Sequence, residues 1–324
     1  MNNAHRVFYD ISYTRTQLGS VGITRTVRRL QEELGTLLSK HVQFTPVAFH
    51  SRGYREAQSE SNPDALTSTQ GSFSARLLRW ISGGFARRLA FAFFPLPVLH
   101  FFWKIHSRIT FDALSRNERP ISFRGGDILL LCDASWCIDS WNAANLARQQ
   151  GAAVVLLVYD LIPENQPEYS SPLATKIFKE WLLNMLIVSN AAICISRSVE
   201  RDLITFSKKE KINIPPTSNF RLGCDISNSK TNGLIRADIL KFLSPDEVCF
   251  GMVGTIEPRK NHALVLSIFD DLWKNGFNGK LIIMGRPNPA SHNIVKLLKN
   301  HPEHGSRLLT LFDASDAEVA RLYT

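Results

Sequence analysis

Val248 to His262 read Val-Cys-Phe-Gly-Met-Val-Gly-Thr-Ile-Glu-Pro-Arg-Lys-Asn-His. Cys249, Phe250, Met252 and Val253 form an uncharged apolar run that ends at Gly254, and an apolar series through Leu264, Leu266, Phe269 and Leu272 begins a few residues on. A buried-type strand, a glycine turn and a helix make the repeating unit of a parallel α/β sheet. Its turn lies at the carboxyl end of the strand, where such sheets bind ligands. There Arg259 and Lys260 stand side by side ahead of a helix that opens at Asn261 or His262. Unpaired backbone N–H groups and the positive end of the helix dipole favour an anion, and two cations add charge that suits a diphosphate. The plain alternative is a solvated basic pair at the tip of a turn.

The alternation extends to both sides. Toward the C-terminus the pattern predicts a strand over 280–284, a helix over 291–300, a strand over 308–312 and a helix starting at Asp316. Toward the N-terminus it predicts strands over 6–11, 42–49, 127–132, 153–158 and 191–195, with helices over 23–38, 138–150 and 173–188. The fold class that follows is α/β with two Rossmann-like domains. A chain of 324 residues with 44% hydrophobic content is long enough for two cores. The polar stretch from Asp225 to Asn232 puts the boundary near 228, giving domains 1–227 and 228–324, the second with three strands and so incomplete.

The formal charge of +9 suits nucleic acid, an anionic membrane surface or phosphorylated substrates. No nucleic-acid motif accompanies it, so nucleic acid is not expected as a partner. Cys132, Cys137, Cys194, Cys224 and Cys249 are odd in number and lack a Cys-x-x-Cys pair, which reads as reduced cysteine. The N-terminus lacks the basic and apolar regions of a secretory signal, so a cytoplasmic protein is expected. Histidines show no metal-ligand spacing and no Asp-x-Asp occurs, so no metal is expected.

Several strand ends carry polar groups. Gly285-Arg286 follows the strand over 281–284 and points at the same crevice as Arg259 and Lys260; alone it is also an ordinary strand-end turn. Gly19, Gly22, Ile23 and Arg25 can present backbone amides and charge to a phosphate or a sugar hydroxyl, or form a plain βα loop. Tyr159 and Asp160 follow the strand over 153–158 and Asp133 follows the strand before it, placing carboxylates over the sheet edge. Asp160 is the best candidate to accept the hydrogen bond of an acceptor hydroxyl; its alternative role is to cap the next turn. Ser196 reads as a helix N-cap. Between the two halves of the first domain lies an insertion, 51–125. It opens with a polar Ser-rich excursion over 51–72 and continues as a basic, aromatic segment over 73–111. Pro95 and Pro97 interrupt the apolar run of that segment, which is too short to span a bilayer. It either lies on an anionic membrane surface or packs on the sheet as a helix.

Together these residues resemble the family-4 glycosyltransferases, retaining enzymes with two Rossmann-like domains in the GT-B fold. The resemblance runs through most of the chain. It is carried by the Gly22-Ile23-Thr24-Arg25 loop, by Val158 to Pro163, by Cys194 to Arg197, and most specifically by Gly254 to His262, a stretch similar to that of bacterial polysaccharide transferases, several of them mannosyltransferases. It implies transfer of a sugar from a nucleotide diphosphate sugar, GDP-mannose by family weighting, onto a polysaccharide or polyprenyl-linked glycan. It also implies an enzyme that is cytoplasmic and peripheral on the inner membrane. Under this reading Gly254, Thr255, Arg259, Lys260, Asn261, Gly285 and Arg286 bind the donor, and Arg259 and Lys260 neutralise the diphosphate as the glycosidic bond breaks, the duty of a metal in other transferases. Gly19, Gly22, Ile23, Arg25, Asp133, Tyr159 and Asp160 form the acceptor side. Two features depart from the family. Thr255 stands where many relatives carry arginine, and no Glu-x7-Glu pair occurs, its expected place falling after Tyr323. The resemblance therefore implies a C-terminally truncated chain, and the alternative function is an inactive Rossmann-type binding or scaffold protein.

Overall fold

A computed structural model describes residues 5–17, 22–38, 42–57, 95–223, 234–243, 247–288 and 291–323. The chain divides into two units, Met1–Leu222 and Gly223–Thr324.

The first unit is built on a seven-stranded sheet in the order β3-β2-β1-β4-β5-β6-β7. The strands are β1 (His5–Asp10), β2 (Val42–His50), β3 (Gly53–Glu56), β4 (Ile128–Leu131), β5 (Ala153–Val158), β6 (Ala191–Cys194) and β7 (Thr217–Asn219). All neighbours run parallel except the β2–β3 hairpin. The chain steps outward from β1 to β2 and then returns to pair β4 on the other side of β1. The strand order therefore reverses between β1 and β4, and their carboxyl ends flank the crevice where doubly wound sheets hold ligands.

Period-two burial explains the layers. Phe8, Leu129, Leu131, Val154, Leu156 and Val158 face one core, while Tyr9, Cys132, Leu157 and Tyr159 face the other. The second face is covered by α1 (Ile23–Leu38) through Val27, Leu30 and Leu34. The first face carries α2 (Leu96–Leu114), α3 (Trp141–Gln149), α5 (Pro172–Val188) and α6 (Arg197–Glu210), with the single turn α4 (Ile162–Asn165) ahead of α5. Ala143, Ala144 and Ala147 let α3 approach the sheet closely. Along α5, Trp181, Leu182, Met185 and Leu186 are fully buried. Truncating Leu182 to alanine costs about 2–5 kcal/mol, because the cavity cannot collapse fully.

In the second unit β8 (Cys249–Val253), β9 (Lys280–Met284) and β10 (Leu308–Leu311) form a parallel sheet in the order β10-β9-β8. Four helices accompany it among the described residues: α7 (Ala237–Phe242), α8 (His262–Lys274), α9 (His292–Lys299) and α10 (Asp316–Leu322). Leu266, Phe269 and Trp273 of α8 pack with Leu281 and Ile283 on one face, and Ile239 and Phe242 of α7 pack with Ile282 and Met284 on the other. Arg236 reaches across to Glu318 and holds its carboxyl down at about 2, fixing the start of α7 to α10.

Three elements differ from the sequence pattern. Gly53–Glu56, expected in a loose excursion, is an edge strand, because Tyr54 is buried against Phe123. Most of that excursion, and the part of the basic aromatic segment before Pro95, lies outside the described residues. Pro95 and Pro97 do not end a helix but begin one: Pro95 is the N-cap of α2 and Pro97 sits in its first turn, where a missing N–H costs nothing. β7 is too short and polar to show in the pattern.

Candidate functional site

Two sets of strand ends carry the predicted site residues, one in each unit. In the second unit the loops after β8 and β9 run together as a continuation of the sheet. Gly254 N–H donates to the Met284 carbonyl at 2.9 Å, Ile256 N–H to Arg286 at 2.9 Å and Asn288 N–H to Ile256 at 3.0 Å. A Cβ at Gly285 would lie 1.7 Å from the Gly254 carbonyl oxygen, so only glycine allows the two loops to meet. Gly254 itself has φ 149°, which disfavours any side chain by backbone conformation alone. The predicted donor residues Gly254, Thr255, Gly285 and Arg286 are thereby brought into one structure, with Thr255 and Arg286 exposed.

From this floor the chain rises through the 3-10 turn Pro258–Lys260 into α8. Asn261 adopts the left-handed conformation, φ 55°, as the N-cap; its carbonyl accepts from Leu264 and Val265, and its side chain makes no cap bond. Backbone donors at the head of α8 are therefore left to be satisfied from outside. Arg259 pairs with Glu257 at 2.6 Å, Lys260 is exposed, and His262 is buried behind them. Burial holds the His262 imidazole below its usual range, which leaves the positive charge at this loop to Arg259 and Lys260. One carboxylate occupies only part of a guanidinium's five donors, so Arg259 retains capacity for a second anion.

In the first unit the strand ends are buried and internally bonded. Asp133 accepts from Tyr13 N–H at 2.7 Å, Thr14 N–H at 2.8 Å, Thr14 Oγ1 at 2.7 Å and Ala134 N–H at 2.7 Å. It is 1% exposed, so its carboxylate shapes the loop after β1 instead of facing a ligand as the sequence pattern suggested. Tyr159, placed on the acceptor side by the sequence, is likewise buried and donates to the Cys132 carbonyl at 2.7 Å. Asp160 is partly exposed and accepts from Ile162 N–H at 3.1 Å, the turn-capping geometry, at the carboxyl end of β5. Ser196 accepts from Val199 N–H at 3.2 Å, the N-cap of α6. Gly22, φ 52°, leads into α1 at Ile23 with Arg25 exposed; Gly19 lies outside the described residues.

The sequence pattern passed over Asp10 at the end of β1, although it carries the same signal as Asp133, a carboxylate closing an apolar strand. Asp10 is wholly buried; its Oδ1 accepts from Ser12 N–H at 3.0 Å and from the Ser12 hydroxyl, and its Oδ2 has no partner among the described residues. Burial, and then the charge of Asp133, push its carboxyl up to about 7, against the opposing bonds from Ser12. Burial also raises Asp133, with the Thr14 bonds opposing. Arg28 of α1 completes the brace by donating to the Gln17 carbonyl at 2.7 Å. The β1 loop is thus fixed from three sides by β1, β4 and α1.

No family model matches the chain. Over 221 residues it is 30% identical to the serotype-specific mannosyltransferase WbdA of Escherichia coli, a match that covers 64% of this chain and 26% of that protein. The chain thus spans about a quarter of the curated relative. Among solved structures it is similar to the α,α-trehalose 6-phosphate synthase of Burkholderia multivorans, with TM-score 0.51, 10% identity, and coverage of 98% of this chain and 75% of that one. It is also similar to the UDP-forming α,α-trehalose-phosphate synthase of Burkholderia vietnamiensis, with TM-score 0.50, 8% identity, and coverage of 99% and 76%. At such identities the likeness is one of fold, and that fold is the predicted α/β class with Rossmann-like domains.

Proposed function

We propose that this chain is a glycosyltransferase that moves a sugar, mannose by the resemblance to bacterial mannosyltransferases, from a nucleotide diphosphate sugar to a glycan acceptor in surface polysaccharide synthesis. The observation that carries the reading is the joined β8 and β9 loop floor, with Lys260 exposed and Arg259 half-exposed directly ahead of the α8 N-terminus. Breaking the bond between a sugar and a diphosphate places new negative charge on the leaving oxygen. Fixed cations and helix N–H groups favour that charge, and they stabilise the transition state more than the ground state when the charge develops there. Arg259 and Lys260 supply the charge; Gly254, Thr255, Asn261, Gly285 and Arg286 form the rest of the donor surface.

On the first unit, the partly exposed Asp160 orients an acceptor hydroxyl by accepting its hydrogen bond. Retention at the anomeric carbon and a lipid-linked acceptor belong to the same proposal and rest on the family resemblance. The test is thermal unfolding of the 324-residue chain in the presence of GDP-mannose, UDP-glucose and other nucleotide sugars. A ligand of the folded state raises the midpoint by mass action. A midpoint unmoved by every member of the panel sinks the proposal.

A further inference from the structure

The two sheets have four edges, and three of them are covered or short. Beside β3, Ile121 N–H donates to the Tyr54 carbonyl at 2.9 Å and Glu56 N–H to the Arg119 carbonyl at 2.8 Å. β7 has three polar residues, and β10 is buried along its whole length. β8 is open. Val248, Phe250 and Val253 are 38–62% exposed, and the run from Val248 to Val253 has none of the lysines or prolines that discourage pairing at natural edges. Lys280 N–H donates to the Val248 carbonyl at 2.8 Å and Gly254 N–H to the Met284 carbonyl at 2.9 Å, so the even-numbered residues of β8 spend their peptide groups on β9. The N–H and C=O groups of Cys249, Gly251 and Val253 therefore point away from the sheet.

This outward row matches itself when turned end for end about Gly251. Antiparallel pairing there sets Gly251 opposite its own copy and Cys249 opposite Val253 of the second copy, each pair exchanging both N–H···O bonds. Phe250 then stands opposite Met252 of the second copy, an aromatic and thioether contact. α8 has the same symmetry. Leu264, Ile268 and Leu272 are 39–51% exposed, one turn apart and centred on Ile268. The rings of Phe250 and Phe269, neighbours of Gly251 and Ile268, have centroids 5.5 Å apart, so the two centres lie at one level. Asp270 meets His301, in the segment leading to β10, at 2.8 Å and marks the flank of α8 turned away from β8; the apolar stripe is on the other flank. Because α8 lies over β8 and β9, strands about 4.8 Å apart put two copies of α8 roughly 10 Å apart, an ordinary helix packing distance.

We propose that β8 and α8 form a dimer interface, in which the three-stranded sheets of two copies of this chain join about a twofold axis that passes between the Gly251 pair and the Ile268 pair. Such an interface is isologous, the same patch serving both partners. Any extended segment could pair with the edge amides, but a second copy also matches the stripe on α8. The formal charge of +9 does not oppose it. The second unit has twelve Lys and Arg against eleven Asp and Glu and so carries only +1 of that charge. This surface is independent of the donor chemistry, and its test requires no nucleotide sugar.

The experiment is sedimentation velocity of the 324-residue chain in reducing buffer over a range of concentrations. A species of twice the 36.5 kDa of one chain is expected. Ile268→Lys sets like charges opposite one another at the axis and is expected to weaken the dimer by more than roughly tenfold. Ile268→Glu should do the same, and an equimolar mixture of the two variants should recover the dimer, because Lys then faces Glu across the axis. Val253→Lys probes the strand edge separately and is expected to weaken the dimer by roughly tenfold. Ile268 and Val253 are exposed in the single chain, so the circular dichroism of each variant should match the parent. A chain that stays monomeric up to about 100 μM, where a micromolar dimer is saturated, would overturn the proposal. So would a dimer indifferent to Ile268→Lys or to Val253→Lys, or a mixture of the two Ile268 variants that remains monomeric.

Discussion

The carboxyl ends of β1 and β4 and those of β8 and β9 occupy equivalent places in two Rossmann-like units and are built from opposite materials. The first edge turns its charges inward. Asp10 and Asp133 are buried carboxylates, one of them saturated by four donors, and their business is the shape of the β1 loop. The second edge turns its charges outward: its floor is joined by backbone bonds, with the Ser291 hydroxyl donating to the Ile256 carbonyl, and Lys260 and Arg286 are left in solvent. Position at a strand end drew attention to both, but only burial tells whether a charged group holds the loop or faces solvent. A carboxylate with its lone pairs taken cannot also bind a substrate, whereas a cation at a helix N-terminus without side-chain capping has capacity left.

The contrast can be broken at its strongest point. Replacing Arg259 or Lys260 by alanine is expected to lower sugar transfer by roughly 10²–10³-fold, the effect of removing one preorganised group facing developing charge. The melting temperature should stay at the parent value; unchanged turnover in both variants would reduce this loop to surface. The inward edge should behave in reverse. Asp133→Ala strands Tyr13 and Thr14 N–H groups in the interior and is expected to cost on the order of 3 kcal/mol in urea unfolding. A loss below about 0.5 kcal/mol, the scale of an ordinary surface change, would mean the brace is not one.

Asp10 sharpens the comparison through pH. Its carboxyl, ordinarily near 3.8, titrates at about 7 in the folded state, so the folded protein holds a proton that the unfolded chain releases. Its contribution is fully present below the unfolded value and is lost as pH rises toward the folded one. Asp10→Asn should therefore flatten the fall in stability between those values and gain on the order of 2 kcal/mol over the parent at pH 8. Parallel unfolding curves at pH 5 and pH 8 for both proteins check this, and identical slopes would refute it. The smallest effect belongs to Ser196→Ala, a capping loss of about 1 kcal/mol with no change in activity.

The strands, most helices and the turn between β8 and α8 could be read from the residues because their signals are local. An apolar run before Gly254, cations before a helix and periodic leucines all fall within a few positions of one another. What escaped the pattern depends on distance along the chain. Asp133 is matched to Thr14 across 119 positions, and nothing around Asp133 announces that its lone pairs are taken. Asp10 went unmarked because its importance is burial beside another carboxylate, which the alternation of β1 does not display. Tyr54 was concealed by polar neighbours, and that Pro95 and Pro97 open a helix is not written in the apolar run they interrupt, because the meaning of a proline depends on whether it falls in the first turn or later. The pairing of Arg259 with Glu257 was within reach, since the two are separated by one residue in a tight turn.

The contact between Gly285 and the Gly254 carbonyl also limits how this protein can be redesigned. The space a side chain would need at Gly285 is already filled by backbone from the neighbouring loop, so no choice of rotamer relieves the clash. Under the proposed donor role, a library aimed at changing ligand preference therefore gains by varying Thr255 and Arg286, which stand in solvent on that floor, and wastes its members at Gly285. Variation at Gly254 fails for a different reason: a Cβ there would meet nothing within 4 Å, but the backbone angle of 149° is one that side-chain-bearing residues rarely adopt.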